Sequence, residues 1–563
     1  MQRAGSQRIS KLLIWVAPLA TLAISPWSNF DPINLIKMLV VSSVGFATAG
    51  ILLGNFKKYK KDEIHKLFWI ASILFLICLF STFIFSGAPI PQQIWGQFGR
   101  STGLVAYISL IFVTLGASSI QHRTFHEKLV KSLFLTTIPM TAYCLLQIAN
   151  LDPIKWSSYA PFGTLGNINF LSAFFGISSV ALFSLLLEQS MKLIKKLAYF
   201  FLIIVDLVIV VTTGSIQGFM IFVAGAGLAL MFYLLKSEKF KSFAKVYLIL
   251  AFVGFLLTAL GLSNLGPLAK YIFQPSVIYR TDYWHAGWVM TVQHPFFGVG
   301  LDSYGDWYRQ VRGEISTIRT DPNRISNTAH SIFLDISSNG GFPLLVAYLS
   351  IVLIAFFVGI RKTKLMSKYD SIYVAIFSAW LAYQIQSFIS INQIGVGIWG
   401  WLFTGAIISY PLETHNSVNI STSKIKKSKS KLQKISNDLS PATSLLAILG
   451  FLIGFFLAFI PLNADAKFKA ANNKLDGVAL IAAIRTIGST SFHAENAMNA
   501  FIKSNLAPQA KEVTDYLLEN YPRDFAGWGA RAVLNSSTPE QKAEAMKKLK
   551  ELDPFNPGVR TNP

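Results

Sequence analysis

Apolar stretches close to twenty residues long recur through this chain, and that is the length an α-helix needs to cross about 30 Å of hydrocarbon. They run approximately over 12–27, 33–54, 67–85, 102–120, 129–149, 167–187, 197–213, 215–235, 244–264, 331–360, 370–390, 395–412 and 442–462. Length and hydropathy predict a helix in each. Composition agrees: of 563 residues, 52% are apolar and only 14% charged. A soluble domain carries about a quarter charged residues, so a soluble surface of this size would lack the charge to solvate it. The expected fold class is all-α, a polytopic helical membrane protein with about 12–13 transmembrane helices. To these it adds a large extracytoplasmic loop and a small α-helical C-terminal domain.

The basic residues set the orientation. With the N-terminus inside, alternate loops should be basic. The 55–66 loop holds Lys57, Lys58, Lys60, Lys61 and Lys66; later inside loops hold Lys192, Lys195 and Lys196, then Lys236, Lys239, Lys241 and Lys245, then Arg361, Lys362, Lys364 and Lys368. The longest holds Lys424, Lys426, Lys427, Lys429, Lys431 and Lys434, whereas 86–101 has only Arg100 and 150–166 only Lys155. This placement accounts for the formal charge of +22 and argues against nucleic-acid binding.

The N-terminus (Arg3, Arg8, Lys11, then an apolar run) ends in Pro26-Trp-Ser-Asn29 with no small-x-small cleavage site, so it reads as an uncleaved first helix. Cys78 and Cys144 each lie inside an apolar run, which excludes a disulfide framework and a cysteine metal site.

On this reading 1–462 is the membrane domain, with an extracytoplasmic loop at about 263–330, and 463–563 is an extracytoplasmic helical tail. Loops as long as 263–330 usually carry function. In the tail, Ala510-Lys-Glu-Val-Thr-Asp-Tyr-Leu-Leu518 and Pro539-Glu-Gln-Lys-Ala-Glu-Ala-Met-Lys-Lys-Leu549 have helical spacing, the second after the N-cap types Ser537 and Thr538. They fit a degenerate tetratricopeptide pair or a helical hairpin of no repeat class.

Candidate chemistry gathers in the outer loop and at the helix mouth after it. Arg280, Trp284 and Asn327 lie there with Arg309, Arg312, Arg319 and Arg324, against the positive-inside bias. A polyanionic ligand explains such arginines, because guanidinium grips phosphate bidentately; a solvated loop face is the plain alternative. His330 opens an apolar helix at the outer boundary, where an imidazole can exchange a proton with a cavity or simply cap the helix. His285 and His294 match no common metal-ligand spacing, so no metal and no other cofactor is expected. Gly298-Val-Gly300 lacks the strand and basic residue of a phosphate loop and reads as a tight turn. Arg100 stands at another mouth, as an anchor or a ligand. Asn167 and Asn169 are expected to cap the next helix.

In order and placement these segments resemble the O-antigen ligase/polymerase superfamily, bacterial membrane glycosyltransferases acting on undecaprenyl-diphosphate-linked glycans. The resemblance runs from about 97 to 405. It rests on Phe98-Gly-Arg100 with Gly103, Gly163-Thr-Leu-Gly-Asn167, Arg280 with Trp284, Pro295 with Gly298-Val-Gly300, and Ala329-His330-Ser with Leu334-Asp335 and Gly340-Gly341. It implies a multi-pass protein of the bacterial inner membrane that moves a glycan from its polyprenyl diphosphate to an acceptor hydroxyl on the outer face. Arg280 would contact the diphosphate and His330 would deprotonate the acceptor; Arg100, Arg309, Arg312, Arg319, Arg324, Trp284 and Asn327 are further substrate-binding candidates. The implied partners are the lipid-linked donor, a glycan, lipid or protein acceptor, membrane lipid, and a protein partner reached through the tail.

The chain departs from the family at one turn. Where many members carry an arginine between two central helices, it reads Thr212-Thr-Gly-Ser-Ile216-Gln217-Gly218. Diphosphate binding would then rest on Arg280, Arg100 or the loop arginines. A lipid-linked-glycan flippase and a non-catalytic envelope scaffold are the alternatives. A flippase should carry ionisable groups along a mid-membrane path, and here Asp206 is nearly alone in a helix interior.

Overall fold

The computed structural model describes residues 4–56, 65–156, 160–412 and 439–560. Among them the chain is helical throughout and contains no strand. The thirteen apolar segments fall in the helices Ala4–Leu22, Asn34–Asn55, Lys66–Phe85, Leu104–Ser118, Arg123–Ile148, Ile168–Leu186, Leu193–Thr212, Gln217–Lys236, Lys241–Leu262, Ile332–Leu365, Ser371–Ser387, Ile394–Ser409 and Pro441–Lys474. Among the described residues, eight helices are long and apolar enough to cross a membrane, and two more, Leu104–Ser118 and Ile394–Ser409, are apolar but shorter. The protein is an all-α polytopic membrane protein.

Side-chain partition shows which solvent the bundle is built for. In Lys66–Phe85, Phe68, Ala71, Phe75 and Leu79 are buried while Ile70, Ile73, Leu74, Ile77 and Ile84 face outward. A contiguous aliphatic surface of this extent is tolerated against lipid and not against water. Leu104–Ser118 and Ile394–Ser409 are enclosed on nearly every side and form the centre of the bundle. Asp206 turns inward on Leu193–Thr212, beside Ile203, Ile209 and Val210, and its Oδ1 accepts from Thr141 Oγ1 at 2.6 Å. Where Pro441–Lys474 crosses Asn34–Asn55, Gly450 and Gly454 lie against the carbonyls of Phe46 and Ser42, an approach only small residues permit.

The two ends of the bundle are tied differently. At one end Lys362 donates to the carbonyls of Ile407, Ile408 and Tyr410 (2.9, 2.9 and 2.7 Å), capping Ile394–Ser409, while Arg123 pairs with Asp370. Lys362, read from sequence as a loop charge, is therefore a cap. Lys57, Lys58, Lys60 and Lys61, and Lys424 to Lys434, which supported the orientation, lie outside the described residues. At the other end, called the mouth below, Lys37 caps Ala4–Leu22 through the carbonyls of Ala20, Thr21 and Ala23.

The 263–330 stretch is folded, with helices Ala269–Ile272, Pro275–Gln293, Tyr304–Val311 and Glu314–Thr320. Pro275–Gln293 packs along Ile332–Leu365, which breaks at Gly341 (φ 73°, ψ −177°). The 295–300 turn plugs the break. Phe342 N donates to Pro295 O (2.8 Å), Val299 N to Ser338 O (2.8 Å) and Gly300 N to Asn339 O (3.1 Å), so the polar groups freed by the kink are satisfied. Gly298 has φ +61°, and a Cβ there would run into the Asn339–Gly340 peptide. Gly298→Ala should therefore cost on the order of 1–3 kcal/mol and lower the melting temperature in detergent. Gly313→Ala should not, because nothing lies within 4 Å of a Cβ at Gly313. Equal melting of the two variants would remove this account of the plug.

Pro441–Lys474 runs unbroken past residue 462, so the boundary drawn there falls inside a helix whose last turns, Phe468 and Ala471, pack against the tail helices. Those are Gly477–Ile484, Ser491–Lys503, Ala507–Asn520, Phe525–Val533, Pro539–Leu552 and Pro557–Arg560, each packed on its neighbour in sequence. Thr538 forms a capping box with Gln541. The tail sits on the mouth. Asp465 accepts from the amides of Phe30 (2.6 Å) and Asp31 (3.1 Å) and binds His493 (2.9 Å), and Phe492 stacks on Phe98 at 3.7 Å.

Candidate active site at the mouth

His330 is set by a tight turn. It has φ +51°, its amide donates to Thr328 Oγ1 (3.3 Å), and the buried carboxylate of Asp335 accepts from Ala329 N at 2.6 Å. Asp335 N donates to Ser331 O (2.8 Å), which starts the helix one residue beyond the histidine. A non-glycine residue at positive φ is strained, and strain of this kind gathers at functional sites. The imidazole is half-buried and stacks on Tyr283 (5.3 Å between centroids, 28°). Among the described residues it makes no side-chain hydrogen bond to the protein, so its nitrogens stay available. Burial, with Arg100 and then Arg280 beside it, lowers its pKa to about 3, and the ring is neutral at physiological pH.

Arg100 comes from a different part of the chain. The 96–103 loop wraps the carboxylate of Asp302, whose Oδ2 accepts from Gln97 N (2.7 Å) and Thr102 N (3.3 Å). Gln92 holds the Asp302 carbonyl (3.1 Å) and Asn34 the Gly99 carbonyl (3.0 Å). Burial raises the Asp302 pKa, against the two amides and Arg100. Arg280 lies on Pro275–Gln293; its Nε is buried without a hydrogen-bond partner among the described residues, and burial lowers its pKa. Among the described residues, neither Arg100 nor Arg280 makes an ion-pair contact with a carboxylate. A recess beside Arg100 is lined by Tyr107, Asp302, Asp335, Asn392 and Gln393.

The other arginines are committed to the protein. Arg309 and Arg312 both grip Asp553 of the tail, Arg319 pairs with Asp282 (3.2 Å), and Arg324 lies over the Tyr279 ring at 5.0 Å. Arg312 and Asp553 are 1% and 0% exposed, which leaves Arg312 nothing to offer an external anion. The anion that Arg309 and Arg312 meet is a carboxylate of the same chain. Trp284 is half-buried and its Nε1 has no partner, and Asn327 lies half-buried against Gly305. Gln217 is 5% exposed with both amide atoms unpartnered, and Ile216 points outward, so the 213–217 turn supplies no cation. Asn167 caps its helix through Asn169 N (2.8 Å), and Asn169 itself accepts from Ser215 Oγ (2.8 Å). Among the described residues no three or more His, Cys, Asp or Glu side chains form a group able to hold a metal ion.

Residues 198–349 match the family model of the O-antigen ligase. Over this stretch the chain is similar to that family, which supports its resemblance to the O-antigen ligase/polymerase superfamily. The match spans a little over a quarter of the chain, and a search of curated proteins finds no relative. The ligase segment carries Arg280, Trp284, His330, Asp335 and the Gly341 break, whereas Arg100, Asn392 and Gln393 come from outside it. Sequence reasoning gave no role to Asp302, Tyr283 or the Asn392-Gln393 pair. Asp302 stands two residues past the quoted glycine pair and Tyr283 three past Arg280, but nothing in their spacing announces what they touch. Asn392 and Gln393 reach the recess only through the packing of Ile394–Ser409.

Proposed function

We propose that the protein transfers a glycan from a polyprenyl-diphosphate donor to an acceptor hydroxyl, at the outer face of a bacterial inner membrane. What supports this most is one arrangement: a neutral imidazole with unengaged nitrogens, flanked by Arg280 and by Arg100, neither of which makes an ion-pair contact among the described residues, although the Asp302 and Asp335 carboxylates lie near Arg100. The acceptor oxygen attacks the anomeric carbon as its proton passes to His330. The bond from that carbon to the diphosphate oxygen breaks, and the electron pair leaves with the diphosphate. Arg100 and Arg280 meet the charge growing on the leaving oxygens, which is where preorganised cations lower a barrier most. Trp284 and Asn327 are further candidate donor contacts, and the Asn392-Gln393 recess provides polar groups for a sugar.

Because the diphosphate is already a good leaving group and the arginines carry its charge, chelator treatment should leave the rate unchanged. A divalent-ion requirement restored by magnesium or manganese would contradict the mechanism. The direct test is purified full-length protein in detergent with a synthetic polyprenyl-diphosphate oligosaccharide and a panel of glycan, lipid-core and peptide hydroxyl acceptors, read by mass spectrometry. A new glycosidic product supports the reading and identifies the acceptor. Tight donor binding without product on any acceptor would favour a carrier or scaffold instead.

A further inference from the structure

We propose that the C-terminal tail is a working part of the transfer site: Asp553 is a positioning residue that, by gripping Arg309 and Arg312, holds Tyr304–Val311 against Tyr283 and so sets the imidazole of His330. The inference rests on the reading of His330 as the base.

The grip joins three separate parts of the chain. Asp553 accepts from Arg312 Nη2 at 2.6 and 2.9 Å, Arg312 Nε at 3.3 Å, Arg309 Nη1 at 2.9 Å and Asn556 Nδ2 at 3.0 Å. Arg312 also donates to the carbonyls of Pro322 (2.7 Å) and Arg324 (3.2 Å). The carboxylate therefore sits where the end of Tyr304–Val311, the 321–324 turn leading to His330, and the tail all cross. Paired with two guanidinium groups and shielded from solvent, such a carboxylate leaves strongly uncompensated charge if removed.

From there an unbroken line of contacts reaches the histidine. Arg312 N donates to Tyr308 O (3.0 Å), the Tyr308 ring meets Tyr283 at 5.7 Å, and Tyr304 donates its hydroxyl to the Tyr283 carbonyl at 2.7 Å. Tyr283 in turn stacks on His330. It also lies one helical turn after Arg280, so the surface that orients the base belongs to the helix that carries the arginine. Among the described residues, this stack is the ring contact that holds the imidazole. The tail has a second attachment to the same helix: Arg523 covers the Trp307 ring at 3.5 Å and donates to Gln310 Oε1 at 2.6 Å. Loss of Asp553 should therefore loosen the helix without detaching the tail.

The experiment compares wild-type full chain with Asp553→Asn and the milder Arg309→Gln, and adds Tyr283→Phe and Tyr283→Leu. Hydrogen exchange of the 304–330 backbone is followed together with transfer kinetics. In Asp553→Asn, exchange over 304–330 should rise while helices before residue 262 keep their protection. Its kcat should fall about 10- to 100-fold with the donor KM within about two-fold, as misplacement of a reacting group by around 1 Å does. Arg309→Gln should show the same pattern more weakly. Tyr283→Phe should keep most of kcat because the ring remains, and Tyr283→Leu should lose it as Asp553→Asn does. Unchanged exchange in Asp553→Asn overturns the grip. Raised exchange with full kcat overturns the link to the base. Were the wild-type chain to transfer no glycan at all, the proposed function and the positioning role would both fall; the exchange data would still report whether Asp553 holds the helix.

Discussion

His330→Gln should reduce glycan transfer by at least about 10²-fold, the lower end of what a positioned general base contributes. Glutamine fills a similar volume and keeps polar atoms at the mouth, so insertion and donor binding should persist; product at the wild-type rate would remove His330 as the base. The pH dependence gives the sharper reading. In the free protein burial, and after it Arg100 and Arg280, hold the imidazole pKa near 3. A base that weak is poorly matched to neutral pH. Diphosphate bound against Arg100 and Arg280 would offset the part of that depression which the arginines cause, so His330 should become a stronger base when donor is present. The acid limb of kcat, which reports the loaded enzyme, should then lie at higher pH than that of kcat/KM, which reports the free enzyme. Coincident limbs would show that donor binding does not act on the histidine. The same shift affects stability. The unfolded chain takes up a proton on His330 near pH 6.5, and the folded chain not until about pH 3. Between those values the unfolded state binds more protons, so stability falls as pH falls through that window.

Arg280→Lys should lower kcat by roughly 10²-fold despite keeping the charge, comparable to losing one donor to a developing oxyanion. A lysine ammonium offers a point charge, whereas guanidinium offers a fork that spans two phosphate oxygens. The buried Nε marks a donor that nothing among the described residues satisfies, as expected if a ligand does so. Arg312→Lys should behave in the opposite sense, with loss of thermal stability and of the tail contact and little change in donor affinity, because its partner is Asp553. Donor binding measured by calorimetry separates the two. Equal loss of donor affinity in both variants would mean that the buried arginine also touches substrate.

The membrane architecture was legible in the sequence because lipid imposes length and hydropathy on each span separately. The Gly298-Val-Gly300 turn and the caps at Asn167 and Thr538 were legible for the same reason: a positive φ or an N-cap is a local demand on residue type. The arginines were not separable on those terms. Arg100, Arg280, Arg309, Arg312, Arg319 and Arg324 look alike along the chain, and a guanidinium's role depends on which carboxylate lies opposite it. Asp553 is 241 residues from Arg312 and Asp302 is 200 from Thr102, and no spacing rule spans such separations. The sequence by itself determined that this is a helical membrane protein, and it put the candidate chemical groups near one mouth, since hydrophobic length and residue placement are properties of each segment alone. Only the tertiary structure decided which arginines remain open beside His330 and which are consumed in holding the tail, because a charge is free or paired according to its neighbours in space.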